Sequence, residues 1–168
     1  MTLVVITTID DTMSKTAHPA REGKRPISSP EEAALLDLVR TADILSRGII
    51  PVLKLGDLSP TQYNVLRILR GAREGLPCGE IAGRMITRDP DITRLLDRLE
   101  RRRLIARARD DKDRRTVLTH ITPAGLRLLA TLDGPVQRAH RRQLAHLGPR
   151  RLRKLAELLR AAREGALA

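Results

Sequence analysis

The sequence is poor in cysteine and in long apolar runs. A single cysteine, Cys78, among 168 residues excludes an internal disulfide framework and a zinc cluster built from cysteines. The longest apolar runs, 3–6 and 49–53, fall far short of the ~20 residues of a membrane helix. The N-terminus lacks the cationic start and apolar stretch of a signal peptide. We therefore expect a cytoplasmic protein with no membrane partner.

Aromatic residues are almost absent, since Tyr63 stands alone and the chain has no Phe or Trp. The core must consist of Leu, Ile, Val and Ala, and the abundance of Leu, Ala, Arg and Glu favours helices. Proteins that bind single-stranded nucleic acid usually stack bases on aromatic rings. Duplex DNA requires only cations and side chains that reach the grooves, so the composition favours a duplex over a single strand.

The net charge is +12. The basic excess lies in residues 58–122 (+6) and 123–168 (+7), whereas residues 1–28 carry +1 and residues 29–57 carry −2. A balance this basic indicates an acidic partner, most often nucleic acid. The alternative explanation is a GC-rich genome that encodes arginine frequently.

Motifs for catalysis and metal binding are missing. The sequence has no G-x-S-x-G, Walker, G-x-G-x-x-G or H-E-x-x-H motif. The histidines (His18, His120, His140 and His146) include no pair four residues apart. We therefore predict no enzyme activity, no cofactor and no metal site.

Two capping boxes predict the first helices. Ser29-Pro30-Glu31-Glu32 begins a helix over about 30–54, and Ser59-Pro60-Thr61-Gln62 begins one over about 60–71. Pro51 is expected to kink or end the first helix near its last turn. Residues 1–28 show no helical period; they are either a mobile leader, with Met13 as an alternative start, or contain a short strand at 3–6.

The middle of the chain predicts two more helices. One covers 79–85. The other begins with Asp89 as N-cap and Pro90 in the first position, and ends near Arg102. Its apolar and polar positions separate onto two faces. The apolar face consists of Ile92, Leu95, Leu96 and Leu99, and the polar face of Arg94, Asp97, Arg98 and Arg101.

The pattern then alternates with period two, which predicts strands at 104–109 and 116–121 around a polar tip at 110–115. A helix follows from Thr122-Pro123, with a bend at Gly134-Pro135. Gly148-Pro149 separates a last helix that ends at Gly165. The fold class is mostly α with a small β-wing (α+β), and the order helix, helix, turn, helix, hairpin is that of a winged helix-turn-helix.

Five segments resemble MarR-type transcriptional regulators, and the resemblance covers roughly residues 30–165. The Thr93-Arg94-Leu95-Leu96-Asp97-Arg98-Leu99-Glu100 run and the Asp113-Arg114-Arg115 wing are its most specific parts. The other matching segments are Leu58-Ser59-Pro60-Thr61-Gln62-Tyr63-Asn64-Val65-Leu66, Glu80-Ile81-Ala82, and residues 118–125 with Ile121-Thr122 and Gly125. The family usually has Gly at the end of the recognition helix, where this chain has Arg103.

The resemblance implies a homodimer, and it divides each chain into four segments. Residues 1–28 form the leader, 29–57 an N-terminal dimerisation helix, 58–122 the winged helix-turn-helix lobe, and 123–168 the C-terminal dimerisation helices. Exposed apolar stripes on flanking helices are consistent with an interface between two copies. The alternative is that these helices fold back on their own lobe.

The resemblance also implies DNA-contacting residues. We expect Asp91, Thr93, Arg94 and Arg98 on the recognition helix, and Arg114 and Arg115 in the wing, to contact DNA, with Asp113 orienting Arg115. Arginine paired with guanine is the commonest specific contact, and a narrow minor groove attracts a cation. The alternatives are a solvated helix face, with pairs such as Asp97–Arg101, and an ordinary charged hairpin tip. Arg107 and Arg109 either flank the DNA backbone or lie on the open face of their strand.

The predicted function is a sequence-specific repressor that binds a pseudo-palindromic operator and is released by a small aromatic or phenolic effector. Tyr63, Ile49 and Leu53 are candidates for the effector pocket, although the same residues are natural core residues. Cys78 is expected to be a small, partly buried thiol. The alternative function is a basic helical module that binds duplexes without sequence preference or joins an assembly.

Overall fold

The computed structural model describes residues 29–72, 74–87, 89–111 and 113–166. Contacts divide the chain into two units, Met1–Asp37 and Leu38–Ala168. In the first unit, residues 29–37 begin the first helix, and the Ser29 hydroxyl accepts a hydrogen bond from the Glu32 N–H at 3.2 Å. The leader or strand predicted within residues 1–28 lies outside the described residues, as does His18.

The predicted helices and strands occur in the predicted order in the described residues, together with a two-residue strand and a 3₁₀ turn that were not predicted, and the fold is mostly helical with a small antiparallel sheet. The helices are α1 (Pro30–Lys54), α2 (Pro60–Arg70), α3 (Cys78–Arg84), α4 (Ile92–Arg101), α5 (Pro123–Leu144) and α6 (Gly148–Gly165), with a 3₁₀ turn at Ala145–Leu147. The strands are β1 (Leu76–Pro77), β2 (Ile105–Arg109) and β3 (Val117–Ile121).

Capping sets the helix starts. Ser59 caps α2 as predicted: its hydroxyl accepts from the Gln62 N–H, and the Gln62 side chain accepts from the Ser59 N–H at 2.9 Å. Both internal prolines are tolerated, because α1 continues through Pro51 to Lys54 and α5 continues through Pro135. The Gln143 side chain on α5 donates to the Leu45 carbonyl at 2.9 Å, which fastens α5 to α1.

The sheet has one more strand than the sequence predicted. β3 lies in the centre, paired antiparallel with β2 on one side and with the two-residue β1 on the other. Leu76 pairs with Thr119, and Ile105 pairs with Ile121. A strand of two residues that includes Pro77 is too short for an alternating pattern, which is why it left no signal in the sequence.

The start of α4 corrects the prediction. Asp91, not Asp89, is the N-cap, and the helix begins at Ile92 instead of Pro90. The Asp91 carboxylate accepts from the Arg94 N–H at 3.2 Å, and Asp89 accepts from the Asp91 N–H at 2.9 Å. Asp89 therefore shapes the turn before the helix, and Asp91 satisfies the first free backbone donors of the helix.

At the end of α4, an arginine occupies the position where the family usually has glycine. Arg103 has a φ of +57°, in the left-handed region that favours glycine. The Arg103 N–H donates to the Glu100 carbonyl at 2.7 Å, and the Leu104 N–H donates to the Leu99 carbonyl at 3.0 Å. The Thr122 hydroxyl donates to the Arg103 carbonyl at 2.7 Å. The two backbone bonds form a Schellman cap, so α4 ends where the resemblance predicts despite the departure in sequence.

The core lies between α2, α4, α5 and the sheet. Its fully buried side chains include Leu66, Leu96, Leu99, Leu129 and Leu132. The predicted apolar face of α4 is confirmed, because Leu95, Leu96 and Leu99 are buried and Ile92 packs against the core. In the described part of the chain, no helix is both long enough and apolar enough to cross a bilayer.

Candidate nucleic-acid interface

The outward face of α4 carries a row of exposed cations. Thr93, Arg94, Arg98 and Arg101 are all exposed, opposite the buried leucines of the same helix. Arg94 pairs with Asp91, where Nε lies 3.1 Å from Oδ2. For Arg98 and Arg101, no carboxylate lies within 4 Å among the described residues. The helix therefore presents positive charge that the surrounding protein only partly neutralises.

Arg107 on β2 holds the acidic residues of α4. Its Nη2 lies 2.6 Å from Oδ1 of Asp97, its Nε donates to Glu100 at 2.9 Å, and its backbone N–H donates to Glu100 at 3.2 Å. The hydrogen bonds from Arg107 hold the pKa of Glu100 below its ordinary value, and the same bonds raise the pKa of Arg107. Asp97 thus pairs with Arg107 and not with Arg101, the pair that the alternative of a solvated helix face had suggested.

This pairing also determines where the Arg107 side chain lies. The sequence left open whether Arg107 flanks the DNA backbone or lies on the open face of its strand, and the structure directs its guanidinium to α4. Arg109, two residues later, is exposed. Because β2 continues into the wing, the Arg107 contacts fasten the wing to the recognition helix and fix the distance between them.

Residues 113–116 of the wing form a hydrogen-bonded turn with exposed arginines. Asp113 accepts a hydrogen bond from the Arg115 backbone N–H at 3.0 Å and another from the Thr116 hydroxyl at 3.0 Å. The Thr116 N–H donates to the Asp113 carbonyl at 2.9 Å. Asp113 therefore orients the backbone of the turn, while the side chains of Arg114 and Arg115 stay exposed.

A cavity of about 220 Å³ contains the three predicted pocket residues. Ile49 and Leu53 of α1 line it together with Tyr63 of α2, and Leu53 is also a core residue. Arg67 and His140, which the sequence did not predict for this site, line the same cavity. The Arg67 guanidinium carbon lies 5.9 Å from the centre of the Tyr63 ring, a cation–π distance. The cavity thus has an apolar wall and a cationic one.

Arg67 was within reach of sequence reasoning, since it lies four residues after Tyr63 and so on the same face of α2. His140 was not, because it comes from α5 and only the tertiary fold brings it to the cavity. Burial raises the pKa of Tyr63 above its ordinary value.

Two candidates from the sequence remain, the thiol of Cys78 and a metal site. Cys78 is partly buried against the core at the start of α3, as expected. Among the described residues, no three His, Cys, Asp or Glu side chains lie close enough together to hold a metal ion.

Helix α3, the turn, helix α4 and the β2–β3 wing together define a winged helix-turn-helix protein. The MarR family model matches residues 58–117. A solved MarR transcription factor from Planctomyces limnophilus is 40% identical, with 81% of this chain and 99% of that chain covered and a TM-score of 0.61. This chain belongs to the MarR family of transcriptional regulators, a class of DNA-binding proteins and not of enzymes.

Two further proteins are similar to this chain, one in sequence and one in fold. The uncharacterized HTH-type transcriptional regulator YsmB of Bacillus subtilis (strain 168) is 37% identical over 72 residues, 43% of this chain, and the match spans about half of YsmB (49%). The S. aureus MepR–DNA complex is 21% identical, with 79% of this chain and 96% of that chain covered and a TM-score of 0.67. At that identity the likeness concerns the fold alone.

Proposed function

We propose that the chain is a homodimeric repressor that binds a pseudo-palindromic duplex operator and is released by a small aromatic or phenolic anion. The observation that carries the proposal is the outward face of α4, where Arg94 and Arg98 lie exposed, opposite three buried leucines. A recognition helix needs this arrangement, because one face must pack on the lobe while the other enters the major groove.

The proposed DNA contacts come from two elements, the recognition helix and the wing, which reach different grooves. Arg94 and Arg98 lie one turn apart on α4 and are suited to base edges or phosphates in the major groove. Thr93 is exposed beside them. In the wing, Arg114 binds phosphate and Arg115 enters the minor groove, held by the turn that Asp113 orders. A duplex-binding role agrees with the structure of S. aureus MepR, a protein of similar fold that was solved in complex with DNA.

A second copy of the chain is proposed to cover the exposed apolar side chains on α1 and α6. Val39 is 59% exposed, Ile44 is 67% exposed and Leu158 is 56% exposed, although each is large and apolar. The segments also differ in charge, −2 for residues 29–57 and +7 for residues 123–168, which favours contact between them. We therefore assign dimerisation to residues 29–57 and 123–168.

The cavity lined by Ile49, Leu53 and Tyr63 is the proposed effector site. Its volume of about 220 Å³ is sufficient for one aromatic ring, since a cavity of ~150 Å³ holds benzene. Arg67 supplies the positive charge that a carboxylate or phenolate requires. The cavity lies between α1 and the lobe, so an effector that prefers one lobe position shifts the equilibrium toward it.

The experiment selects duplexes from a random pool with the full chain, then measures the affinity of the selected and random duplexes across a salt series. We expect an affinity ratio of ~10³ or more, and a two-fold symmetric selected site. Light scattering on the same sample should give the mass of two chains. Equal affinity for both duplexes would replace the repressor with a non-specific duplex-binding module, and a single-chain mass on DNA would exclude the dimer.

A further inference from the structure

The first turn of α4 holds an arginine and a carboxylate in a fixed relation. Nε of Arg94 lies 3.1 Å from Oδ2 of Asp91, while Oδ1 of Asp91 accepts the Arg94 backbone N–H at 3.2 Å. Oδ1 thus accepts a hydrogen bond from Arg94, and Oδ2 forms an ion pair with the same residue. The backbone of Asp91 is also held in place, because the Asp89 carboxylate accepts a hydrogen bond from the Asp91 N–H at 2.9 Å. Both the backbone N–H and the carboxylate of Asp91 are therefore engaged by neighbouring residues.

This arrangement leaves a specific part of Arg94 unoccupied. With Nε in an ion pair with Asp91, the two terminal nitrogens, Nη1 and Nη2, donate no hydrogen bond to the described residues and remain as a pair of donors on a side chain that is 79% exposed. Two parallel donors match the O6 and N7 acceptors of guanine in the major groove. Adenine offers a donor in the O6 position, so the same pair of donors rejects it.

The other arginines of the helix differ from Arg94. Arg98 and Arg101 are exposed but have no carboxylate within 4 Å among the described residues. A guanidinium without a fixed partner turns freely and binds phosphate equally well. Orientation, not charge alone, therefore separates Arg94 from its neighbours.

We propose that Asp91 is a positioning residue that orients Arg94 to recognise a guanine in each half-site, and is not itself a base contact. The inference rests on the proposed operator binding. It assigns Asp91 a role that the sequence left between base and phosphate contact, and it specifies one base of an operator that is otherwise unknown.

The test replaces guanines of the selected operator one at a time with 7-deazaguanine, which lacks the N7 acceptor. For the wild-type chain we expect one position in each half-site to lose ~5-fold or more in affinity. Asp91→Asn keeps the cap, because Asn caps helices as well as Asp, but it removes the charge that holds Nε. In this variant the loss at that position should fall below about 2-fold, while binding to random duplex stays the same or rises.

Glu80→Gln is the matched control. Glu80 accepts from Nη2 of Arg84 at 2.9 Å, on the exposed surface of α3, so the substitution removes the same charge and breaks a similar pair. It should leave the guanine preference intact. Arg94→Lys provides a second route, since it keeps the charge and loses the paired donors; it should lose the preference without losing random-duplex binding.

The outcomes are distinct. If the selected operator shows no position sensitive to 7-deazaguanine, or if Asp91→Asn retains full sensitivity with an unchanged circular dichroism spectrum, the role of Asp91 is excluded while operator binding stands. If the pool yields no preferred sequence, operator binding itself fails, and the inference fails with it.

Discussion

Nη2 of Arg102, at the end of the recognition helix, donates a hydrogen bond of 3.0 Å to the carbonyl of Gly56, which follows helix α1. The same guanidinium also donates to the Asp57 carbonyl. These two carbonyls lie in the turn that closes α1, where Asp57 has a φ of +50°. One arginine therefore joins the end of the helix that lines the cavity to the end of the helix that faces the DNA.

Arg102→Ala should destabilise the chain by about 1–3 kcal/mol, because it removes charged hydrogen bonds to two backbone carbonyls. For a chain of this size that corresponds to a fall in Tm of roughly 2–4 °C per kcal/mol, measurable by calorimetry. Arg101→Ala is the control, since Arg101 is exposed and has no carboxylate partner in the described residues. Equal Tm values for the two variants would contradict the role of Arg102.

Arg107→Gln tests how the wing is fastened to α4, and its effect should depend on pH. Arg107 lowers the pKa of Glu100 from its ordinary value of 4.5, so the ionised pair stabilises the fold above that pH. The contribution is lost as the pH falls through the lowered pKa of the folded state. Urea unfolding should show the variant less stable by about 1 kcal/mol at pH 7, after allowance for solvent screening, with a smaller difference near pH 3.

Arg109→Gln is the control for this experiment, because it removes the same charge from the same strand and Arg109 is exposed. It should leave the free energy of unfolding nearly unchanged at both pH values. A difference between wild type and Arg107→Gln that does not change with pH would show that Glu100 is not the partner that matters.

Local signals predicted most of the fold. The starts of α1 and α2 depend on contacts between residues three apart, such as Ser59 and Gln62, and the stripe of α4 depends on spacings of three and four. Such contacts can be predicted from the spacing of residue types along the sequence. The start of α4 was misplaced by two residues because Asp89 and Asp91 are both good caps, and only the turn geometry selects between them.

The long-range contacts had no such signal. Arg102 lies 46 residues from Gly56, and the sequence does not distinguish it from Arg101 or Arg103 on either side. The cavity brings His140 of α5 to Tyr63 of α2, and β1 consists of only two residues. For the interface, the sequence indicated which arginines lie outward, but not that Asp91 holds Arg94 or that Arg107 holds Asp97.

Gly125 is a second test of a long-range contact. A Cβ at this position would lie 2.3 Å from the Leu104 carbonyl, which is backbone and cannot move aside cheaply. Gly125→Ala should therefore destabilise the chain by about 1–3 kcal/mol in urea unfolding. Gly83→Ala, in α3 with nothing within 4 Å, should instead stabilise by about 0.5–1 kcal/mol. Stabilisation by both substitutions would contradict the close approach at Gly125.

Arg115→Ala tests the wing. The variant should bind the selected operator ~5-fold or more weakly at ~0.1 M salt, and the slope of log affinity against log salt should decrease by about one contact. Fluorescence anisotropy across a salt series measures both quantities. Arg127→Ala, an exposed arginine of α5, removes the same charge outside the lobe and should change neither value much. An unchanged affinity for Arg115→Ala would remove the wing from the interface.

Benzoate, an aromatic ring with one carboxylate, is a suitable first probe of the cavity. If it binds there, the Tm of the wild-type chain should rise with concentration, by the equivalent of about 2.7 kcal/mol at 100 times Kd. Arg67→Gln should weaken binding ~10-fold, because it removes the cation that faces the ring of Tyr63. Arg127→Gln controls for net charge and should bind as the wild type does. If Arg67→Gln and Arg127→Gln bind benzoate equally, the carboxylate lies elsewhere; if benzoate also fails to reduce operator affinity, the cavity is not the effector site for such anions.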